Sequence, residues 1–91
     1  MIKITKKGKK AWVTFTAPVE EVESVELVGD WNDWTPEVMK QKKSGEFYLT
    51  KVLSIGNDYE FGYRSNGAWI LDETLDKIES PYGSHNSLLA L

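Results

Sequence analysis

The sequence of 91 residues has no cysteine and only one histidine, His85. A chain without thiols forms no disulfide framework and no thiolate metal site, and one imidazole is too few for a histidine cluster. The chain also lacks an excess of basic residues, since 11 Lys and Arg face 14 Asp and Glu. Because contact with phosphates requires a basic surface, this balance argues against nucleic acid as a partner. We therefore expect neither a metal ion nor a nucleic acid.

Long apolar runs are missing as well. No stretch reaches the length that spans a bilayer, and residues 1–7 lack the apolar core of a signal peptide. These two features predict a cytoplasmic protein that does not associate with a membrane. The length fits one domain with one core, so residues 1–91 are interpreted as a single unit. Its first ten residues carry five Lys and no acid, which is typical of an edge strand or a basic arm.

Aromatic residues and alternating patterns dominate what is present. Aromatics make up 12% of the chain, four of them Trp, and each indole has to be buried or put to use. Apolar residues alternate with polar ones instead of recurring every three or four positions, which predicts strands. In residues 11–16, Val13 and Phe15 share one face and Trp12 lies on the other. Six or seven short strands at regular spacing predict an all-β, immunoglobulin-like antiparallel β-sandwich.

The clearest local signal is the pair Asn66-Gly67 between two alternating runs, because this pair favours a two-residue hairpin turn. Such a turn fixes the pairing and puts Arg64 opposite Trp69. The aromatic residues of the first run then face the core, whereas Trp69 is predicted on the outer face of the sheet.

Other segments carry weaker signals. Residues 30–36 form an aromatic-rich loop, in which Trp31 is expected in the core and Trp34 is expected outside among polar neighbours. Residues 72–81 fit either a helical turn or a loop. Residues 81–86 are interpreted as a loop that precedes the last strand.

The sequence offers little support for catalysis. The acids nearest the aromatic loops, Asp30, Asp33 and Asp72, have the chemistry of a glycosidase pair, but a sandwich of this size has little chain left to wall a cleft for several sugars. Ser84-His85 lacks the context of a nucleophile elbow. No glycine-rich loop leads from a strand into a helix to cradle a phosphate. We therefore predict no catalytic residue, no cofactor and no enzymatic activity.

What remains is a binding surface. An exposed indole on a rigid sheet is a flat apolar plate that suits the C–H face of a pyranose ring, and amides and hydroxyls around it bond the sugar hydroxyls. Trp34, Trp69 and Asn86 have this chemistry. For each, a structural role is the alternative: either indole could belong to the core, and Asn86 could cap a turn.

Several motifs together resemble a known family. In order, they are Leu27-Val28-Gly29-Asp30-Trp31-Asn32-Asp33-Trp34, Gly45-Glu46-Phe47, Tyr59-Glu60-Phe61, Asn66-Gly67-Ala68-Trp69 and Tyr82-Gly83-Ser84-His85-Asn86-Ser87. Over roughly residues 11–91 they resemble the glycogen- and starch-binding module of isoamylases, branching enzymes and the beta subunit of AMP-activated protein kinase. The resemblance implies an early-set, immunoglobulin-like sandwich that binds α-1,4-glucans without cutting them.

The resemblance also implies roles for individual residues. Trp34 and Trp69 correspond to the two Trp residues that stack on glucose rings. Asn86 corresponds to the Asn that bonds glucose hydroxyls, Ser84 to a neighbouring polar position, and Tyr82 to the bulky residue that a ring of glucose units can enclose. The expected partners are therefore an α-glucan and an enzyme of glycogen or starch metabolism.

The chain departs from the family pattern in its core and in its site. Trp31 stands where Phe is usual, which enlarges the core. Gly62 stands where the kinase-type modules carry a Lys that bonds sugar, and Arg64 is the candidate either to replace that Lys or to stack on Trp69. With the Lys missing, the alternative function is an immunoglobulin-like protein-interaction domain that has lost sugar binding.

Overall fold

A computed structural model describes residues 2–19, 21–80 and 83–91. In this part of the chain ten strands form two antiparallel sheets. The strands are β1 (Ile2–Lys7), β2 (Lys10–Thr16), β3 (Glu26–Gly29), β4 (Glu37–Val38), β5 (Lys40–Gln41), β6 (Phe47–Ser54), β7 (Asp58–Ser65), β8 (Ala68–Ile70), β9 (Lys77–Glu79) and β10 (His85–Ala90). A 3-10 turn, Asp30–Asn32, follows β3.

The strand order is that of an immunoglobulin sandwich. The first sheet runs β1-β2-β6-β5, and the second runs β4-β3-β7-β10-β9 with β8 paired to β7. These orders match the A-B-E-D and C-F-G sheets of immunoglobulin domains, with short strands added at the edges of the second sheet. The Lys-rich β1 lies at an edge, where its charges oppose pairing with another chain. The prediction of an all-β antiparallel sandwich is confirmed.

The core lies between the sheets and follows from the alternation in the sequence. β2 sends Val13 and Phe15 inward, and β7 sends Phe61 and Tyr63 inward, all four without exposed surface. The rings of Phe15 and Phe61 meet across the two sheets near edge to face, with 5.0 Å between their centroids. Full burial of such a side chain contributes about 1.5–3 kcal/mol to stability.

The hairpin of β7 and β8 has the predicted register. Asn66 and Gly67 adopt φ values of 51° and 76°, the positive values that a type I′ turn requires at both central residues. Arg64 pairs with Trp69 across the hairpin. This pairing puts Trp69 on the outer face of the second sheet, where 37% of it is exposed.

Two further tryptophans differ in their relation to the core. Trp31 is partly buried and packs on the core, with 5.2 Å between its ring centroid and that of Phe15. Its Nε1 donates to Glu37 at 3.4 Å, and Glu37 also forms an ion pair with Lys51 at 2.8 Å. Trp12 lies on the outer face of the first sheet and is 41% exposed. Trp31 therefore packs at the edge of the core, whereas Trp12 is not part of the core.

The C-terminal part differs from the prediction. β10 begins at His85, so Asn86 lies in a strand and not in the expected loop. His85 and Asn86 extend the strand because they pair with Glu79 and Ile78 of β9. Ser87, the first residue of the predicted strand, is fully buried, and its Oγ accepts a hydrogen bond from the Asp72 backbone N–H at 2.9 Å. The segment predicted as a helical turn or a loop contains the short strand β9, which pairs with β10.

Candidate functional site

An open groove with a volume of about 590 Å³ lies on the outer face of the second sheet. We call it the tryptophan groove. Its lining combines two indoles and one aliphatic side chain with several polar side chains. The residues are Val28, Asp30, Trp34, Glu60, Trp69, Ser80, Ser84 and Asn86. Four of the six residues predicted for the site, Trp34, Trp69, Ser84 and Asn86, are thus brought together in one place.

Trp34 reaches the groove from the loop after β3, and its backbone is strained. Asp33 and Trp34 both have a φ of 63°, in the left-handed region that bulky residues rarely adopt. The Trp34 N–H donates to the Gly29 carbonyl at 3.0 Å. The Asn32 side chain accepts from the Thr35 N–H at 3.2 Å and donates to the Thr35 carbonyl at 3.1 Å. Backbone strain of about 1–3 kcal/mol at an exposed aromatic residue is typical of a functional site.

Trp69 enters the groove from β8 and is held from two sides. Its Nε1 donates a hydrogen bond to the backbone carbonyl of His85 at 2.9 Å. Its ring covers Gly62 so closely that a Cβ built at that position lies 2.8 Å from Cη2 of the indole. The indole is therefore fixed in place although part of its surface remains open to solvent.

Asn86 and Glu60 form a polar floor in the groove. Nδ2 of Asn86 donates to Oε1 of Glu60 at 3.1 Å, and Asn86 is only 7% exposed. Because one amide proton is engaged, Asn86 offers a ligand its Oδ1 acceptor and its second N–H. Glu60 was not among the predicted site residues. The alternation that puts Gly62 and Trp69 on the outer face also puts Glu60 there, and this signal was available in the sequence.

Ser84 lies at the rim of the groove and is hydrogen-bonded to Ser80. The two Oγ atoms are 3.0 Å apart, and the Ser80 N–H donates to the Ser84 carbonyl at 2.7 Å. These bonds hold the exposed Ser84 hydroxyl beside Asn86. Tyr82, which the family resemblance adds to the site, lies outside the described residues.

Arg64 lies on the same outer face but does not line the groove. Its Nε and Nη2 both donate to Oε1 of Glu26, at 3.0 and 2.9 Å. Glu26 pairs with Arg64 from β3, whereas Trp69 pairs with it from β8 on the other side of β7. The guanidinium is therefore drawn away from the indole, and its partner is a carboxylate.

The groove contains two carboxyl groups, Asp30 and Glu60, and the environment of Asp30 shifts its pKa. Partial burial raises the pKa of the Asp30 carboxyl above its ordinary value. A hydrogen bond from the Glu60 backbone N–H lowers this pKa, and the charge of the Glu60 side chain raises it. Within the described residues, the titratable side chains of the lining are all acidic. A ligand of this groove therefore meets hydrogen-bond acceptors without a neighbouring cation.

Asp30→Asn tests this carboxyl through its pH dependence. A carboxyl with a raised pKa in the folded state is unfavourably charged, and this cost appears as the pH rises from the ordinary pKa through the raised one. We expect Asp30→Asn to stabilise the fold slightly at neutral pH, by no more than about 0.5 kcal/mol, as is usual for a surface position. The gain should disappear at about pH 3, because residue 30 is then uncharged in the parent protein as well as in the variant. Thermal unfolding at the two pH values measures the gain in stability. A gain that is present only at acidic pH contradicts a raised pKa of Asp30.

A second depression, of about 490 Å³, lies between residues 16–18 and 72–74. In the part of the chain that the structure describes, its lining includes no aromatic ring. The buried Asp72 in this lining accepts hydrogen bonds from the backbone N–H and the hydroxyl of Thr74. The depression therefore lacks the flat apolar surfaces of the tryptophan groove.

Comparisons with known proteins supply no template for the groove. No protein-family model matches the chain, and no curated protein matches it in sequence. Across residues 2–19, 21–80 and 83–91, no group of three or more His, Cys, Asp or Glu side chains could hold a metal ion. No helix in these same ranges has the length and apolar character needed to cross a membrane. The functional interpretation therefore rests on the groove and on the motifs that resemble the glucan-binding modules.

Proposed function

We propose that this protein binds α-1,4-glucan chains, such as glycogen, starch or maltooligosaccharides, in the tryptophan groove without cutting them. The observation that carries the proposal is the placement of Trp34 and Trp69, which are 38% and 37% exposed, in one groove that polar side chains also line. In the absence of ligand, the Trp69 indole is held by its hydrogen bond to the His85 carbonyl, and the Trp34 backbone is held by its hydrogen bond to the Gly29 carbonyl. Little conformational entropy is then lost when a sugar binds.

Stacking explains why a sugar ring suits these two residues. The C–H face of a pyranose is flat and apolar, so contact with an indole removes apolar surface of both partners from water. The hydroxyls at the edge of the ring still need hydrogen-bond partners. Asn86, Glu60 and Ser84 provide acceptors and donors beside the indoles. The groove thus combines the two kinds of contact that a neutral sugar requires.

The choice of an α-1,4 linkage comes from the family resemblance. The groove itself favours a sugar with one apolar face, and the motifs around Trp34, Trp69 and Asn86 resemble those of modules that bind glycogen and starch. The same resemblance supports a glycogen- or starch-metabolising enzyme as the partner that the bound module brings to its substrate. A cytoplasmic location, which is expected from the lack of long apolar runs, is also part of the proposal.

The affinity for a short oligosaccharide should be low. The groove is open, and Gly62 removes one polar contact, which is worth about 1 kcal/mol. We expect a dissociation constant of roughly tens of micromolar to millimolar, or about -4 to -6 kcal/mol. A polymer with many binding sites compensates through avidity.

Tryptophan fluorescence during titration with maltoheptaose or β-cyclodextrin tests the proposal. A sugar that stacks on an exposed indole changes its emission, so we expect a saturable change with these α-linked sugars. Cellohexaose, which is β-linked, serves as the control and should leave the emission unchanged. A flat response to every sugar at millimolar concentration contradicts the proposal and favours the alternative of a protein-interaction domain.

A further inference from the structure

Gly62 and Trp69 are diagonal neighbours on the outer face of the second sheet. Gly62 pairs with Val28 of β3, and Trp69 pairs with Arg64, two residues further along β7. Diagonal positions on one face of an antiparallel pair are within reach of a large aromatic side chain. The indole therefore crosses from its own strand onto the backbone of the next one.

The ring occupies the space that a side chain at position 62 would need. A Cβ built on Gly62 lies within 3.0 Å of three indole atoms, Cζ2, Cε2 and Cη2. These atoms belong to a rigid ring that is anchored by the hydrogen bond from its Nε1 to the His85 carbonyl at 2.9 Å. Relief of the overlap therefore requires the whole indole to move and this hydrogen bond to stretch or break.

The side chain of Arg64 does not enter the space above Gly62. Arg64 extends toward β3, where Glu26 accepts both of its hydrogen bonds. Trp69 therefore lies on bare backbone, with one face against Gly62 and exposed surface left toward the groove.

We propose that Gly62 is a positioning residue for sugar binding, because its lack of a side chain seats Trp69 in the groove. The part of this inference that concerns sugar rests on the proposed function, whereas the position of the Trp69 indole over Gly62 does not. A side chain at position 62 that could bond a hydroxyl would be incompatible with the present place of the indole. At this position the site has an aromatic plate in place of a polar contact.

The test is Gly62→Ala, observed first without any sugar. We expect the Trp69 indole N–H resonance to move strongly upfield and its hydrogen exchange to speed up, because the bond to His85 is lost. We also expect the affinity for maltoheptaose to fall at least tenfold. The Trp12 indole resonance, on the other sheet, is the internal control and should stay in place. An unchanged Trp69 resonance in Gly62→Ala overturns the inference.

A double variant distinguishes the packing of the Trp69 ring on Gly62 from a general requirement for glycine in β7. We expect Gly62→Ala alone to lower the thermal midpoint, because its Cβ overlaps the Trp69 ring. In a Trp69→Ala background there is no ring for the new Cβ to meet, so the same change should leave the midpoint in place. This comparison also decides the case in which Gly62→Ala alone does not fold. An equal loss of stability in both backgrounds overturns the inference. If the parent protein binds no sugar, the proposed function fails. The Trp69 indole N–H resonance and the thermal midpoint of the double variant still test whether Gly62 positions Trp69.

Discussion

We expect Trp34→Ala and Trp69→Ala each to lower the affinity for maltoheptaose at least tenfold and to abolish retention on glycogen. Either change removes one of the two apolar plates of the groove, and tenfold corresponds to about 1.4 kcal/mol, within the range expected for loss of a stacked aromatic ring. Because both side chains are exposed and lie outside the core, the thermal midpoint should shift by only a few degrees. Titration calorimetry and elution from immobilised glycogen measure the two effects.

Trp12→Ala is the matched control. Trp12 is the same type of residue with nearly the same exposure, 41% against 38% and 37%, but it lies on the first sheet, away from the groove. The Trp12→Ala variant should therefore bind maltoheptaose with the affinity of the parent protein. A loss of binding in Trp12→Ala, or unfolding of Trp34→Ala and Trp69→Ala, contradicts the assignment of the groove.

Phe61→Ala has the opposite signature, a large loss of stability. Phe61 is fully buried and packs against Phe15 and Tyr63, with ring centroids 5.0 and 5.7 Å away. Its truncation leaves a cavity and should lower the free energy of unfolding by about 3–5 kcal/mol. Small domains are stable by only about 5–15 kcal/mol, so the variant should be close to unfolding at room temperature.

Urea denaturation followed by circular dichroism measures this loss. Val52→Ala is the control, because Val52 is exposed on the first sheet and its truncation should change stability by no more than about 0.5 kcal/mol. A cost below about 1 kcal/mol for Phe61→Ala is inconsistent with a core built on this ring.

The central hairpin shows what could be predicted from the sequence. Asn66-Gly67 dictates a two-residue turn, the turn dictates the register, and the register decides which residues face out. From this chain of reasoning the outer position of Trp69 follows, and with it the core position of Phe61. The same strand thus builds the core with one face and the tryptophan groove with the other.

Other features depend on contacts that a local pattern does not contain. The start of β10 was missed because the polar residues His85 and Asn86 look like loop residues until their strand partners, Glu79 and Ile78 of β9, are known. The seat of Trp69 on Gly62 joins two strands diagonally, so it appears only when both the register and the ring orientation are known. From the sequence Gly62 is a missing polar contact, whereas in the structure it is the place where an indole lies.

The most direct test of the account follows the four indole N–H resonances of the protein by nuclear magnetic resonance while maltoheptaose is added. Each tryptophan contributes one signal, and single Trp variants assign them. We expect the signals of Trp34 and Trp69 to shift and saturate together, whereas those of Trp12 and Trp31 stay in place. Saturable shifts of Trp12 with Trp34 and Trp69 unmoved, or no shift of any indole at millimolar sugar, contradict the proposal that the tryptophan groove binds α-glucan.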